Sequence, residues 1–324
     1  MKTFLKILGA LLLAVLILIV GFYAWASFAT RRVLTKTYVA HVVDFPIPFP
    51  LTAGEIAAGG FDPAAADSAA LARAVERGEH LVTSRYACRE CHGKDFSGGT
   101  MVDAFPLGRL LGPNLTLGKG SRTLNYSAKD WDHIVRHGIL PDGRPAVMPS
   151  EDFQKMSDQE LSDIVAYIRS RPAVDRTVPR SKFGPLGKIL IATGQIVPSA
   201  VRITAHDVPH ATMTPVAVAD SAFGAHLAGT CTGCHGANLA GGPIPGGDPK
   251  WPQARNLTPH ATGLGGWTYE DFRNVLTSGV RRNGIPLKMP MMIVVPYAQN
   301  MSPVELQALW AYLRSLPPVD HVIP

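Results

Sequence analysis

One pattern occurs twice in this 324-residue chain and limits its fold more than any other feature: a Cys-x-x-Cys pair followed directly by His. Cys88-Arg89-Glu90-Cys91-His92-Gly93 is matched by Cys231-Thr232-Gly233-Cys234-His235-Gly236. The match extends on both sides. Arg77-Gly78-Glu79-His80-Leu81 pairs with Phe223-Gly224-Ala225-His226-Leu227, and Pro113-Asn114-Leu115-Thr116 with Arg255-Asn256-Leu257-Thr258. Gly143 to Pro149 aligns with Gly284 to Pro290, and Ala166-Tyr167-Ile168-Arg169-Ser170 with Ala311-Tyr312-Leu313-Arg314-Ser315. A repeat of about 100 residues is too long for a solenoid and suits a small domain. The units are placed at about 73–175 and 218–324.

Both units read as helical. Ser157-Asp158-Gln159-Glu160 and Ser302-Pro303-Val304-Glu305 are capping boxes that open the last helix of each. Leu161, Ile164, Val165 and Ile168, like Leu306, Leu309, Trp310 and Leu313, then recur with helical period. Each unit also opens with a weaker helical pattern, interrupted by Gly78 or Gly224 at a cost of about 1 kcal/mol. Close packing against the last helix would justify that cost; a merely tolerated glycine is the alternative.

The Cys-x-x-Cys-His sequence is the attachment signature of c-type haem. Two thiols form thioethers with the two vinyl groups of one haem, and the adjacent imidazole ligates its iron. On this reading Cys88, Cys91 and His92 hold one covalent haem and Cys231, Cys234 and His235 a second. A thioredoxin-like redox pair, half a zinc site or disulfides each use paired cysteines, but none requires the following histidine twice.

An electron carrier needs a sixth iron ligand, and a thioether raises the potential. Met148 lies 60 residues after Cys88 and Met289 lies 58 after Cys231, both in Met-Pro loops. Repeat alignment selects Met148 and Met289; spacing from the final helix offers Met292 as the alternative in the second unit. His80, His133, His137, His226 and His260 are further nitrogen donors, otherwise surface or hydrogen-bonding groups.

Residues 1–30 are read as a transmembrane anchor: two lysines, then an apolar run from Ile7 to about Ala29 with Phe22, Tyr23 and Trp25 near its far end. A cleaved signal peptide, with Ala24-Trp25-Ala26 as its cleavage site, is the competing reading; both export the rest of the chain. Residues 31–72 are a linker that includes the Pro-rich stretch Phe45–Pro50, and 176–217 connect the units. The apolar stretch Ile189 to Val201 is too short and broken to span a membrane and is expected to pack across the two domains, with an interfacial membrane contact as the alternative. The formal charge of +6 suggests no nucleic-acid role, since no basic run accompanies it and four haem propionates would reduce it to about +2.

Taken together, the attachment motifs, the Met-Pro loops and the Tyr167 and Tyr312 helices resemble bacterial class I cytochrome c domains over about residues 75–324. The anchored two-unit arrangement is similar to cytochrome c subunits of membrane-bound alcohol and aldehyde dehydrogenases and to related dihaem cytochromes. The alcohol dehydrogenase subunits typically carry three motifs, whereas this chain has two. The resemblance implies an all-α fold of two tandem cytochrome c domains after one transmembrane helix. It implies an electron-transfer protein rather than an enzyme, held at the bacterial inner membrane with its haem domains on the periplasmic side. Its partners would be the membrane and redox proteins: a dehydrogenase, an oxidase or another respiratory or photosynthetic complex. The alternative is a haem enzyme such as a dihaem peroxidase or a thiosulfate dehydrogenase; the first needs an open iron, and the second an unusual ligand, often a cysteine, that is not left over.

Overall fold

The computed structural model describes residues 1–58 and 66–323. Residues 59–65 of the 31–72 linker and Pro324 at the end of 218–324 lie outside the described residues.

Helix α1 runs from Lys2 to Thr35, past the apolar run and through Arg31 and Arg32. At 1.5 Å per residue it is about 51 Å long, more than a bilayer core requires. Among the described residues it is the one helix long and apolar enough to cross a membrane. Its side chains are exposed apart from a patch around Ala26 and Thr30.

A short capped helix α2 (Ala53–Ala57) precedes the first unit. That unit comprises α3 (Ala66–Ser84), the expected attachment turn α4 (Cys88–His92), strands β1 (Gly99–Ala104) and β2 (Gly108–Gly112), α5 (Ala128–His137) and α6 (Asp158–Ser170). The connection carries β3 (Lys182–Phe183), α7 (Pro185–Ala192) and α8 (Ser199–Arg202). The second unit holds α9 (Ser221–Leu227), the attachment turn α10 (Thr232–His235), α11 (Tyr269–Ser278), α12 (Val295–Asn300) and α13 (Pro303–Ser315).

Each unit is built on a crossing of its first and last helices, α3 with α6 and α9 with α13. Both capping boxes form as the sequence indicates: Ser157 with Glu160, and Ser302 with Glu305, with Pro303 in the first turn. The glycines lie at the crossings. A Cβ on Gly78 would run into the Asp163 carbonyl and the Tyr167 side chain; on Gly224 it would meet the Ala308 carbonyl and Tyr312. The helical cost of each glycine is therefore set against backbone-to-backbone packing. Phe96, Trp131, Ile164 and Tyr167 centre the first core; Phe223, Leu239, Phe272 and Leu309 centre the second.

The chain is predominantly helical, but the all-α expectation omits a small antiparallel sheet in the order β1-β2-β3. Gly99 faces Gly112, and Gly108 faces Phe183. Among the described residues the second unit keeps a single bridge at the matching place, Gly242 with Ala254. β1 buries neither face fully, so it lacks the alternating apolar pattern that marks a strand.

The connecting segments are packed. Phe45 joins the first core, and the Pro46 carbonyl accepts from Ser162 Oγ at 2.6 Å. The stretch from Ile189 to Val201 does not pack across the two units as expected. Its α7 part lies on α1, where Thr30 Oγ1 donates to the Lys188 carbonyl at 2.7 Å, and α8 lies on the 3-10 turn Ser150–Phe153 of the first unit. The exposed apolar wall of α1 is the nearer partner for it.

Candidate functional site

The two attachment turns are built alike. His92 Nδ1 lies 3.0 Å from the Pro113 carbonyl, and His235 Nδ1 lies 2.7 Å from the Arg255 carbonyl. A carbonyl only accepts, so each Nδ1 carries the proton and each Nε2 keeps its lone pair. The residue that follows each of these carbonyls is anchored in the same way in both units. Asn114 Nδ2 donates to Val174 O at 2.8 Å while its Oδ1 accepts from Thr116 N and Oγ1. Asn256 repeats this with Val319 O and Thr258 at matching distances. Burial lowers the basicity of both imidazoles, opposed in part by the carbonyl contacts.

All four cysteines are free thiols. Burial pushes Cys88 up to about 12 and Cys231 to about 11, so both stay protonated rather than acting as thiolates. Among the described residues neither pair gathers the third and fourth donors of a structural zinc site. Two cysteines outside any disulfide, partly buried in the first turn and intermediate to exposed in the second, beside an imidazole with a free, oriented Nε2 are the donor set that covalent haem attachment uses.

The methionine loops also correspond. Ile139 bridges to Pro145 and Val280 to Pro286. Ala146 N donates to Gly138 O, and Leu287 N to Gly279 O, both at 2.7 Å. Met148 follows the first of these hairpins, half-buried, and its carbonyl accepts from Ser199 Oγ at 2.6 Å. Met289 follows the second and is 45% exposed. Met292 lies one turn later, with Sδ against Gly279.

The other histidines are engaged elsewhere. His80 and His226 bind glutamates of the opposite unit, and His260 Nδ1 lies 3.0 Å from Thr262 Oγ1. His137 is fully buried with both ring nitrogens against other imidazoles.

One relationship escapes sequence reading because it joins the two units. Tyr297, on α12 just beyond the second methionine loop, donates to Glu90 Oε1 within the first attachment turn at 2.9 Å. Reciprocally, Asp152, just beyond the first methionine loop, packs on Gly233 in the second attachment turn, where any Cβ would strike its carboxylate. Each attachment turn thus abuts the segment that follows the other unit's methionine. The repeat itself was the available signal: equivalent surfaces can meet in a self-complementary way.

Comparison with known proteins places each of the two regions in a cytochrome family model. Residues 73–168 match the family model described as cytochrome c oxidase, cbb3-type, subunit III, and residues 221–317 match that of cytochrome c. The alcohol dehydrogenase (quinone) cytochrome c subunit of Gluconacetobacter polyoxogenes is 29% identical over 255 residues, covering 70% of this chain and 52% of that protein. The gluconate 2-dehydrogenase cytochrome c subunit of Pantoea cypripedii is 28% identical over 287 residues, covering 78% and 62%. The fructose dehydrogenase cytochrome subunit of Gluconobacter japonicus is 26% identical over 270 residues, covering 75% and 52%. The chain spans about half the length of the relatives it matches. With its oriented imidazoles and free thiols, the chain carries a cytochrome c-family domain and is related, at moderate identity, to cytochrome c subunits of dehydrogenases.

Proposed function

We propose that this chain is a membrane-anchored dihaem electron relay, with haem domains on the periplasmic side of a bacterial inner membrane. Cys88, Cys91 and His92 hold one haem, and Cys231, Cys234 and His235 the other. Met148 and Met289 supply the sixth ligands. A haem bound in this way supplies a one-electron couple at its iron. The cysteines tether it, the histidine Nε2 atoms ligate it, and the Pro113 and Arg255 carbonyls fix the ring planes and raise ligand basicity.

The observation that carries the reading is the duplicated imidazole geometry beside two free thiols. The reciprocal packing of each attachment turn on the other unit supports passage of electrons between the sites, since it draws both toward one interface. By analogy with the named relatives, the electron donor is a dehydrogenase and the acceptor another redox component of the membrane.

The test is to express the full chain in a host that attaches c-type haem, isolate it from membranes in mild detergent, and denature it. Two haems per chain by pyridine haemochrome, with a mass equal to the chain plus two haems, are expected. A bare-chain mass, or one haem, overturns the dihaem reading. Co-isolation of a dehydrogenase tests the partner.

A further inference from the structure

Four side chains from three separate segments converge outside both attachment turns. His41 comes from the stretch after α1, Asp132 and His137 from α5, and His210 from the connection between the units. One donor atom from each lies within 4.8 Å of all the others. We propose that His41, Asp132, His137 and His210 form a divalent transition-metal site of the zinc class, a structural clamp distinct from the haem ligands.

The hydrogen bonds around the cluster fix which nitrogens are free. His210 Nδ1 lies 2.9 Å from the Gln154 carbonyl and must donate to it, so Nε2 keeps its lone pair. His206 Nε2 lies 3.1 Å from the Ala200 carbonyl, so that nitrogen carries its proton and Nδ1 accepts. His137 Nδ1, 3.1 Å from His206 Nδ1, must then be the donor, which frees His137 Nε2. His41 Nδ1 points at the His206 carbonyl at 3.4 Å, freeing its own Nε2. Each imidazole is therefore oriented from behind, as metal-bound histidines are.

This leaves two lone pairs face to face: His137 Nε2 and His210 Nε2 are 2.9 Å apart. Neutral imidazoles so placed repel unless a cation joins them. A shared proton would relieve that contact alone. It would give Asp132 a charge nearby but no hydrogen bond: the fully buried carboxylate has an Oδ2 with no hydrogen bond among the described residues, and the nearest ring nitrogen is too far away to donate to it. Arg136 binds the other oxygen, Oδ1, at 2.7 Å. The free Oδ2 lies 3.6 Å from His137 Nε2, and Oδ1 lies 3.9 Å from His210 Nε2. In a tetrahedral zinc site with bonds of about 2.0 Å, neighbouring donors are about 3.3 Å apart, so small side-chain adjustments suffice. A divalent metal meets both requirements at once, and three imidazoles with one carboxylate suit zinc among biological metals. Half-exposed His41 gives a route in from solvent. The ion would fasten the segment leaving the anchor and the inter-unit connection to the first unit.

The test uses the full haem-loaded protein in detergent, stripped with dipicolinate and then titrated with zinc sulfate alone. Metal content is read beside iron by mass spectrometry, and the zinc environment by X-ray absorption. One zinc per chain is expected, with a nitrogen/oxygen shell at about 2.0 Å and imidazole scattering. His210→Ala should weaken zinc binding by at least ~100-fold, and His206→Ala, which removes only an orienting group, by about 10-fold, with haem iron unchanged. His41→Ala, outside the packed core, carries the same expectation as His210→Ala should the latter fail to fold, a failure visible as lost haem absorption. Wild-type protein that retains no zinc at micromolar free metal, or a folded ligand variant that binds it as tightly as wild type, overturns the proposal. Haem content is read independently, so the electron-relay reading stands or falls separately.

Discussion

His80 and His226 occupy equivalent positions in the two units, and each crosses the interface to the capping-box glutamate of the other. His80 Nε2 lies 2.9 Å from Glu305 Oε1, and His226 Nε2 lies 2.9 Å from Glu160 Oε1. Burial opposes ionisation of Glu305, but the His80 hydrogen bond and the Arg85 charge outweigh it and hold the carboxyl at about 2 against an ordinary 4.5. Glu160 is lowered in the same way by His226 and Arg85, against burial. Because these folded-state values are depressed, the stabilisation is present above about pH 4.5 and is lost as pH falls toward about 2. For Glu305 it is on the order of 3 kcal/mol. Unfolding followed from pH 6 to pH 2 should show a steep acid limb in wild type and a shallower one in Glu305→Gln. Parallel limbs would count against the interface as the acid-sensitive element.

Arg85 sits between those two carboxylates, 2.6 Å from Glu305 and 2.9 Å from Glu160. Both glutamate side chains are only 2% exposed, so removing the guanidinium leaves buried negative charge short of a partner. Arg85→Ala should cost about 3–5 kcal/mol in chemical denaturation. Arg85→Lys should recover only part of this, because one ammonium on a flexible stem cannot reproduce the planar fork that reaches two carboxylates. Adding Glu160→Gln to Arg85→Ala should restore stability relative to Arg85→Ala alone. A doubly substituted protein no more stable than the single variant would show that Arg85 acts through packing instead.

What was legible in the sequence is what chemistry encodes locally. The capping boxes at Ser157 and Ser302 need only a hydroxyl and a carboxylate three residues apart, and both form. The two Cys-x-x-Cys-His turns are local in the same sense, and both place their histidine against a backbone carbonyl. The Met-Pro hairpins correspond in both units because the repeat preserves their glycines. What was not legible depends on contacts distant in sequence. Phe45 reads as part of a proline-rich linker yet enters the first core, because that core has room for a ring contributed from outside the unit. His41 and His210 carry no pattern of their own; only the folded chain brings them to α5. The α7 segment found α1 rather than the second unit because a long apolar helix offers it more surface.

The helix crossings give a matched pair of substitutions. Gly78→Ala and Gly224→Ala place a methyl group against a carbonyl of the facing helix, where backbone cannot yield as a side-chain tip can. Each should destabilise its own unit by more than about 2 kcal/mol despite alanine's better helix propensity. Gly266, with no atom near the added Cβ, is the control, and Gly266→Ala should change stability by less than about 0.5 kcal/mol. Denaturation of the three variants decides the matter. A stabilised Gly78→Ala would mean that the crossing relaxes and that the close approach is not required.

On the proposed dihaem reading the second unit offers two sixth-ligand candidates, Met289 and Met292, three residues apart and both substantially exposed. Met289 occupies the place that Met148 holds after the first hairpin, down to the carbonyl at Gly279 that matches Gly138. Met292 already has its sulfur against Gly279, filling space beside the end of α11. Met289→Ala should therefore open one iron to carbon monoxide and lower the potential of that haem, since a thioether favours the reduced state. Met292→Ala should leave ligation intact and cost about 1–2 kcal/mol from a partly filled contact. Carbon monoxide difference spectra of the reduced variants, with redox titration, separate the two. Rapid binding by Met292→Ala and none by Met289→Ala would reverse the assignment and mean that spacing from the last helix, rather than the repeat, selects the ligand.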